Sequence, residues 1–592
     1  MSKPMEGMGA IVTRDGVGFR VWAPHAEAVS VVGSFNGWDE AAAPLAVDGN
    51  GYWYGFVAAA SVGQEYKFVL RNGEQRLERV DPYAAQVTNS VGNGVIYDHA
   101  AFDWAGDDFT APSFNELVIY ELHAGTFAAT KDGEVADLAD LAGRLEHLVA
   151  LGVNALQLMP VAEFAGDVSW GYNPAHIFAV ESAYGGPDAL KSLVKAAHAV
   201  GLAVIQDVVY NHFGPSDLNL WQFDGWSENG KGGSYFFNDW RSATPWGDTR
   251  PDYGRGEVRQ FIRDNAMSWL ENYHLDGLRY DMTPYMRSVD AGETNIPEGW
   301  SLCHWINSEV RAKYPHKILI AEDLHSNPAV SSTGPEGAAF HAQWDAQFVH
   351  PVRRAVVAAD DAYRSTAEVA RAITYSYGDA FSRVIYTESH DEVANGKARV
   401  PQEIDAGDPT GYFAQKRSTV GAGLVLTSPG IPMLFQGQEF LEGGWFRDTV
   451  ALEWDQDESF HGIVKLYRDL IRLRLNRDGR SAGLTGGGVR VFHNNDDANL
   501  LAFQRWRDHG IGDDVVVVAN LTNTARGMYR IGFPAPGKWQ LLLNSDALVY
   551  SDAFSDHPSA DVVASQDDYD GLQASAEITI GPYSLLIYGW QG

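Results

Sequence analysis

Arg279 and Asp281 stand two residues apart in "DGLRYDMT" (276–283), at the end of a short apolar stretch. On a β-strand alternate residues share a face, so both side chains would aim at one spot. Other apolar runs end in a similar way. "IQDVVYNHF" carries Asp207, Asn211 and His212, "LIAEDLH" carries Glu322, and "YTESHDE" carries His390 and Asp391. Singly, each has a plain structural explanation: an ion pair for Asp281 with Arg279, core imidazoles bonded to backbone for His212 and His390, a helix cap for Glu322 with Asp323. Gathered at one place, three carboxylates and two imidazoles are costly to bury without a chemical task.

The task they suit is cleavage of a glycosidic bond. A retaining mechanism needs an ionised nucleophilic carboxylate and, ~5 Å away, a second carboxyl that keeps its proton. Arg279 would lower the pKa of Asp281 and hold it ready to attack an anomeric carbon. Glu322 has no cation beside it in sequence, so it would keep a raised pKa and act as acid, then base. Asp391 would grip sugar hydroxyls, and the two histidines would donate to hydroxyls of the same sugar. A metal-dependent hydrolase built on His212 and His390 is the competing chemistry. It lacks support from an H-x-x-x-H or HExxH spacing.

Groups this far apart in sequence meet only if the fold gathers strand ends. From about residue 113 to 481, β-branched runs alternate with stretches of helical period. The runs are "LVIYELHAGTF", "ALQLMPVAEF", "AVIQDVVYNHF", "DGLRYDMT", "ILIAEDL", "AQWDAQF", "RVIYTESHD" and "IPMLFQGQEF". Eight such units predict a closed (β/α)8 TIM barrel, whose C-terminal mouth collects the strand ends. An open doubly wound sheet is the alternative, but no Gly-rich dinucleotide or phosphate loop accompanies it. Residues 1–112 and 482–592 instead alternate apolar and polar residues in short runs ("VGFRVWAP", "YKFVLRNG"; "VRVFHN", "DVVVVANL"). Each predicts a β-sandwich.

With 592 residues, 45% of them hydrophobic, the chain is long enough for several cores. A formal charge of −33 disfavours nucleic acid or anionic lipid as a partner. The single cysteine, Cys303, excludes an internal disulfide framework. "MSKPMEGMGAIVTRDGVGF" lacks the apolar core of a signal peptide, and no run reaches membrane-spanning length. A cytoplasmic protein is expected; oligomeric state is not readable.

"DVVYNH" (207–212), "GLRYD" (277–281), "AED" (321–323) and "ESHD" (388–391) resemble, in order and spacing, the four sequence blocks of the α-amylase superfamily, glycoside hydrolase family 13. "VGFRVWAPHAEAVSVVGSFNGWDE" resembles that family's N-terminal family 48 carbohydrate-binding-type module, and the C-terminal zone its β-sandwich. The resemblance implies Asp281 as nucleophile, Glu322 as general acid/base and Asp391 as transition-state stabiliser. It implies that Asp207, His212, Arg279 and His390 line the first donor subsite, with Tyr172 of "SWGYNP" as the aromatic platform under that sugar. No cofactor is implied. Some members hold a structural calcium through the first block's asparagine, here Asn211; the calcium stays open and no metal is predicted. The expected partner is an α-glucan or maltooligosaccharide.

Two subgroups compete. "SHDEVANGK", "FHGIVKLYRDLIRLR" and "WQLLLNSDALVYSD" resemble 1,4-α-glucan branching enzymes. "VIYELHAGTF", "LGVNALQLMPVAEFAGDVSWGYNP" and "DVVYNHFGPSD" resemble maltooligosyltrehalose trehalohydrolases, although "AED" departs from their usual Glu-Asn-Asp; "TSPGIPMLFQGQEF" is nearer to plain amylases. The branching reading is preferred, with hydrolysis as the alternative and a non-catalytic glucan-binding protein as a remote one. Water or a sugar acceptor would decide between them, by reaching the covalent intermediate first. The aromatic-rich stretch 217–248 is a candidate acceptor platform or equally a small core of its own. Trp38 and Trp53 of the N-terminal zone are candidate glucan contacts, with core packing preferred.

Overall fold

The computed structural model describes residues 7–292, 294–508 and 512–591. Residues 1–6, on which part of the no-leader expectation rests, lie outside the described residues. Eight strands close into a parallel barrel: β1 (Ile119–Leu122), β2 (Ala155–Leu158), β3 (Ala203–Val208), β4 (Gly277–Tyr280), β5 (Ile318–Ala321), β6 (Ala342–Trp344), β7 (Arg383–Ile385) and β8 (Ile431–Phe435). They pair in chain order, and β8 returns to β1. Each is one of the eight runs read from the sequence.

Every residue of these strands is buried, which is why they read as continuous apolar runs rather than alternating ones. Alternation nevertheless sorts them into two cores. Leu156, Val204, Leu278, Leu319 and Ile385 pack outward under the helices. Ile119, Ala155, Ile205, Ile320, Trp344 and Val384 fill the barrel interior. Gly277 is required where β4 passes β5, because a Cβ there would come 2.5 Å from the carbonyl oxygen of Ile318.

Two β-structures flank the barrel. On the N-terminal side, Gly9–Thr13, Gly16–Trp22, Tyr52–Val57 and Ala46–Val47 form one sheet, and Ala28–Gly33, Glu65–Asn72 and Gln75–Arg79 the main part of another. Val17, Phe19, Val31 and Phe68 pack between them. On the C-terminal side, a six-stranded sheet with edge strands Gly488–Asn495 and Val562–Ala564 packs with the pair Arg526–Phe533 and Ala574–Ile580. The helix Tyr412–Thr427 is buried from Ala414 onward on all sides. It touches both the barrel's outer layer and the C-terminal sheet, where Gly423 approaches Leu585. Among the described residues no helix is long and apolar enough to cross a membrane.

Candidate active site

Strand parity places the chemistry. Ile205 and Asp207 pair with Gly277 and Arg279, and Gly277 and Arg279 pair with Ile318 and Ile320. Continuing each alternation by two residues reaches Asp281 after β4 and Glu322 after β5; on β1 the residue two beyond Ile119 is Glu121. Because Ile119, Ile205, Ile318 and Ile320 belong to the interior core, these polar residues continue the same inward-facing rows at the C-terminal mouth.

Arg279, wholly buried, joins them. Its Nη1 donates to Asp207 Oδ2 at 2.6 Å and lies 3.3 Å from Asp281 Oδ1, and its Nη2 donates to Glu322 Oε2 at 2.7 Å. One planar fork therefore sets the spacing of the two carboxyls expected to do the chemistry. Asn211 Nδ2 fixes the other oxygen of Asp281 at 2.7 Å, and the Met282 N–H donates to Glu322 Oε2 at 3.0 Å. Tyr172 donates to Asp207 Oδ2 at 2.7 Å and stacks on His390, with ring centroids 5.0 Å apart. The guanidinium carbon of Arg279 sits 4.2 Å from the centre of the Trp344 ring, so an indole face supports the fork from the barrel interior.

The sequence expectation for the two carboxyls needs correction. Arg279 was expected to favour Asp281, leaving Glu322 without a cation; in space its shortest contacts are to Asp207 and Glu322. Burial, and next the charge of Glu322, raise Asp281 well above the usual aspartate range, and Arg279 offsets only part of this. The charge of Glu322 thus bears directly on Asp281 across the arginine that holds both. Burial also raises Asp207, to about 6, against the opposing pull of Arg279.

The histidines divide into two kinds. Burial depresses His212 to about 3, so it is a neutral hydrogen-bonding group, 2.6 Å from Asn211 Oδ1. For His390 burial works the other way from its neighbours, and Asp391 and Glu121 win, raising it well above the ordinary histidine value. Its Nδ1 is 2.7 Å from Glu121 Oε1 and its Nε2 3.4 Å from Asp391 Oδ2. Asp391 itself stands at the rim with 42% of its side chain exposed. Burial raises its pKa, but His390 outweighs burial and the net shift is downward. Asp391 joins the cluster through His390 rather than through Arg279.

All eight residues singled out from the sequence, Tyr172, Asp207, His212, Arg279, Asp281, Glu322, His390 and Asp391, fall into this one connected group. Sequence reasoning missed Glu121 and Trp344, and gave Asn211 only a metal to hold. An acid inside the otherwise apolar "VIYELHAGTF" was the available signal for Glu121; nothing marked Trp344. Asn211 links His212 to Asp281. Among the described residues no group of three or more His, Cys, Asp or Glu is arranged to hold a metal ion.

The stretch 217–248 has a small core of its own and also leaves two indoles exposed. Phe223, Tyr235, Phe236 and Phe237 are buried, whereas Trp240 and Trp246 are exposed. Its inner part docks the N-terminal sheets, through Asp224 to the backbone and ring of His25 at 3.0 Å and Trp226 stacked on His25 at 4.3 Å. Trp53 is core, its Nε1 donating to the Ala23 carbonyl at 3.1 Å, whereas Trp38 is 41% exposed.

Comparison with known proteins agrees in each part of the chain. Residues 7–84 match the model for carbohydrate-binding module 48 (isoamylase N-terminal domain), 121–245 that for the alpha amylase catalytic domain, and 492–591 that for the alpha amylase C-terminal all-beta domain. The chain is 32% identical over 618 residues to the 1,4-alpha-glucan branching enzyme GlgB of Vibrio cholerae, covering 97% of this chain and 81% of that one. It is also 32% identical over 574 residues to that of Methylococcus capsulatus, covering 91% and 75%. Among solved structures, a putative alpha amylase from Salmonella typhimurium superposes with a TM-score of 0.74 at 22% identity, covering 99% of this chain and 100% of that one. A pullulanase from an Anoxybacillus species, complexed with maltotetraose, superposes with a TM-score of 0.78 at 21% identity, covering 99% and 87%. These last two likenesses speak for the fold.

Proposed function

The chain belongs to the α-amylase family, glycoside hydrolase family 13, and on that premise we propose that it is a retaining 1,4-α-glucan branching-type transglucosidase. It would cleave an α-1,4 bond and pass the glucan to a 6-hydroxyl. The observation that carries the reading is the shared fork: one buried arginine holding Asp281 and Glu322. The share of chain in common with branching enzymes supports the transfer half of it.

In the first step Asp281 attacks the anomeric carbon, through Oδ1, since Oδ2 is engaged by Asn211. The bond from that carbon to O4 breaks, and Glu322 gives its proton to the departing O4. Both strong contacts of Glu322 fall on Oε2, leaving Oε1 to carry the mobile proton. Glu322 must carry a proton at that moment, and Asp281 must not. Positive charge developing at the anomeric carbon favours this, because it stabilises Asp281 as the anion. In the second step an acceptor 6-hydroxyl loses its proton to Glu322 and attacks the anomeric carbon, the ester bond to Asp281 breaks, and an α-1,6 linkage results. Asp207, the neutral His212 and the charged His390 hold the donor's hydroxyls, and Tyr172 underlies its ring. Glu121, Asp207, Asp281, Glu322 and Asp391 outnumber the cations Arg279 and His390, a field suited to an oxocarbenium-like transition state.

The test is incubation with amylose, maltooligosaccharides and maltooligosyltrehalose, scoring α-1,6 linkages, reducing ends and free trehalose separately. Accumulating α-1,6 linkages from amylose are expected. Reducing ends alone, or trehalose, would replace this reading with a hydrolytic one.

A further inference from the structure

Glu121 lies near the C-terminal end of β1, wholly buried, and neither reaction step uses it. Among the described residues no lysine or arginine pairs with it, and its one ion-pair partner is His390. Both carboxylate oxygens are spent on that residue. Oε2 accepts the backbone N–H of His390 at 3.0 Å, and Oε1 stands 2.7 Å from the ring Nδ1. The Gln157 amide adds a neutral donor to Oε1 at 3.3 Å.

His390 in turn has a carboxylate on each side: Glu121 at Nδ1, and Asp391 Oδ2 at 3.4 Å from Nε2. A neutral imidazole has one N–H and one lone pair, so it satisfies only one such neighbour. Against two, both nitrogens must carry hydrogen. Three rings enclose the imidazole: Tyr172 stacked at 5.0 Å, Trp170 edge-on at 5.8 Å and Trp344 at 5.8 Å. A cation buried this way needs a fixed counter-charge, and Asp391, exposed at the rim, is less suited to supply it than Glu121. The other groups around the ring do not replace it. Burial drives His123, two residues past Glu121, down to about 4, so it adds no charge. Asp207 is held by Arg279 and Tyr172, and the cations Arg279 and Lys397 act on Asp391.

Resting on the double-displacement reading of this site, we propose that Glu121 is a positioning residue for the reaction: it keeps His390 a charged donor whose Nε2–H points at Asp391 and the donor sugar. Glu121 itself touches no substrate. Without its charge, Nδ1–H would pair with a neutral acceptor and Nε2 would present a lone pair to the Asp391 carboxylate. A hydroxyl donor would be lost and a repulsion gained, beside the carbon where positive charge develops. The bonds made and broken stay the same; the pH range over which His390 is a cation changes. Removing a negative neighbour makes an imidazole easier to deprotonate, so that range closes from the alkaline side.

The test is the rate of α-1,4 bond opening against pH in the full-length wild type, Glu121→Gln and Glu121→Asp. Opened bonds are counted as α-1,6 linkages plus new reducing ends, so that sugar and water acceptors score alike. Glu121→Gln should move the alkaline limb of kcat/KM down by about one to two pH units, about tenfold in rate at a fixed alkaline pH for each unit, and should regain activity as the pH falls. Glu121→Asp keeps the charge at shorter reach, so its limb should stay near that of the wild type while the rate is lower throughout. In 15N-histidine NMR of the wild type, the His390 ring, assigned by its loss in His390→Gln, should carry two N–H protons at about pH 7.5. A neutral His390 there overturns the proposal. So does a Glu121→Gln profile that falls by one factor at every pH, as a merely structural role would give, or one that does not change. A wild type that opens no α-1,4 bonds fails the double-displacement reading instead, and is seen before any variant is made.

Discussion

Arg279 and Arg505 are both wholly buried, but their partners differ in kind. Arg505, on the strand Leu500–Trp506, is surrounded by main-chain carbonyls, those of Thr427, Leu484, Gly486 and Gly488. Its neighbour Arg474 is likewise bonded to the carbonyls of Asn115, Gly430 and Leu484. Burial drives Arg474 down to about 10 and Arg505 well below the usual arginine range. Arg279 suffers the same burial, but Asp207 and Glu322 outweigh it and push its pKa up. A buried cation satisfied by carbonyls ties the barrel to the C-terminal sheet. One satisfied by carboxylates organises groups that exchange protons and charge. Partner type, rather than burial, separates the structural site from the chemical one.

The sharpest way to break that contrast is to remove the carboxylates. Asp281→Asn should lower turnover on amylose on the order of 10⁴-fold and Glu322→Gln about 10³-fold, since each leaves one half of a two-group mechanism. Circular dichroism should show the fold unchanged, and wild-type turnover in either variant would remove its assigned role. NMR of the first-formed product should show the α-anomer; the β-anomer would exclude double displacement.

The arginines should then separate cleanly. Arg279→Lys keeps the charge but loses the fork, so activity should drop about 10²- to 10³-fold with little change in Tm. Arg505→Met leaves several buried carbonyls without a donor and should cost about 3 kcal/mol of stability, while the folded fraction keeps its kcat. If Arg505→Met abolished turnover in folded protein, the division by partner type would be wrong.

Activity against pH reads the same contrast more finely. The nucleophile Asp281 must be ionised and the acid Glu322 must hold its proton, so kcat/KM should follow a bell. Because the Asp281 pKa is raised, the acid limb should lie above the ordinary aspartate range; Asp391, shifted downward, is ionised throughout and does not set it. An acid limb near pH 4 would mean that Arg279 dominates Asp281 after all.

How much of this was legible in the sequence follows from the range of each interaction. The eight strands were readable because a strand buried on both faces leaves an apolar run, and the site residues because they end such runs. The pairing of Arg279 with Glu322 was not readable, since the two are 43 positions apart and adjacency in sequence gave Glu322 no cation. Trp344 escaped because its partner across the barrel interior, Arg279, belongs to a different strand. The buried and exposed aromatics within 217–248 could not be told apart by composition, because Trp226 packs on His25 of the N-terminal zone and Trp246 on His212, contacts made across the fold.

The weakest expected effect comes from a second acid pair, which has no arginine at all. Glu163 and Glu181 lie at the base of the hairpin formed by Ala162–Phe164 and Pro174–Val180, whose tip carries Tyr172. Burial raises Glu163 to about 8, with Glu181 adding to it, and raises Glu181 to about 7. The Ser182 N–H donates to Glu163 at 2.7 Å and the Phe164 N–H to Glu181 at 3.1 Å, which satisfies oxygens without supplying a counter-charge. For an acid whose folded pKa is raised, the folded state binds the proton more tightly. The stability Glu163 contributes is therefore complete below its unfolded value of 4.5 and is lost as pH climbs towards 8. Glu163→Gln keeps the shape and removes the charge, so it should stabilise the protein by about 2 kcal/mol at pH 8.5 and by almost nothing at pH 4.5. Thermal unfolding of both proteins across that range checks it. A variant equally stable to wild type at both ends would mean that the pair is already compensated, and that a buried carboxyl here needs no guanidinium to remain charged.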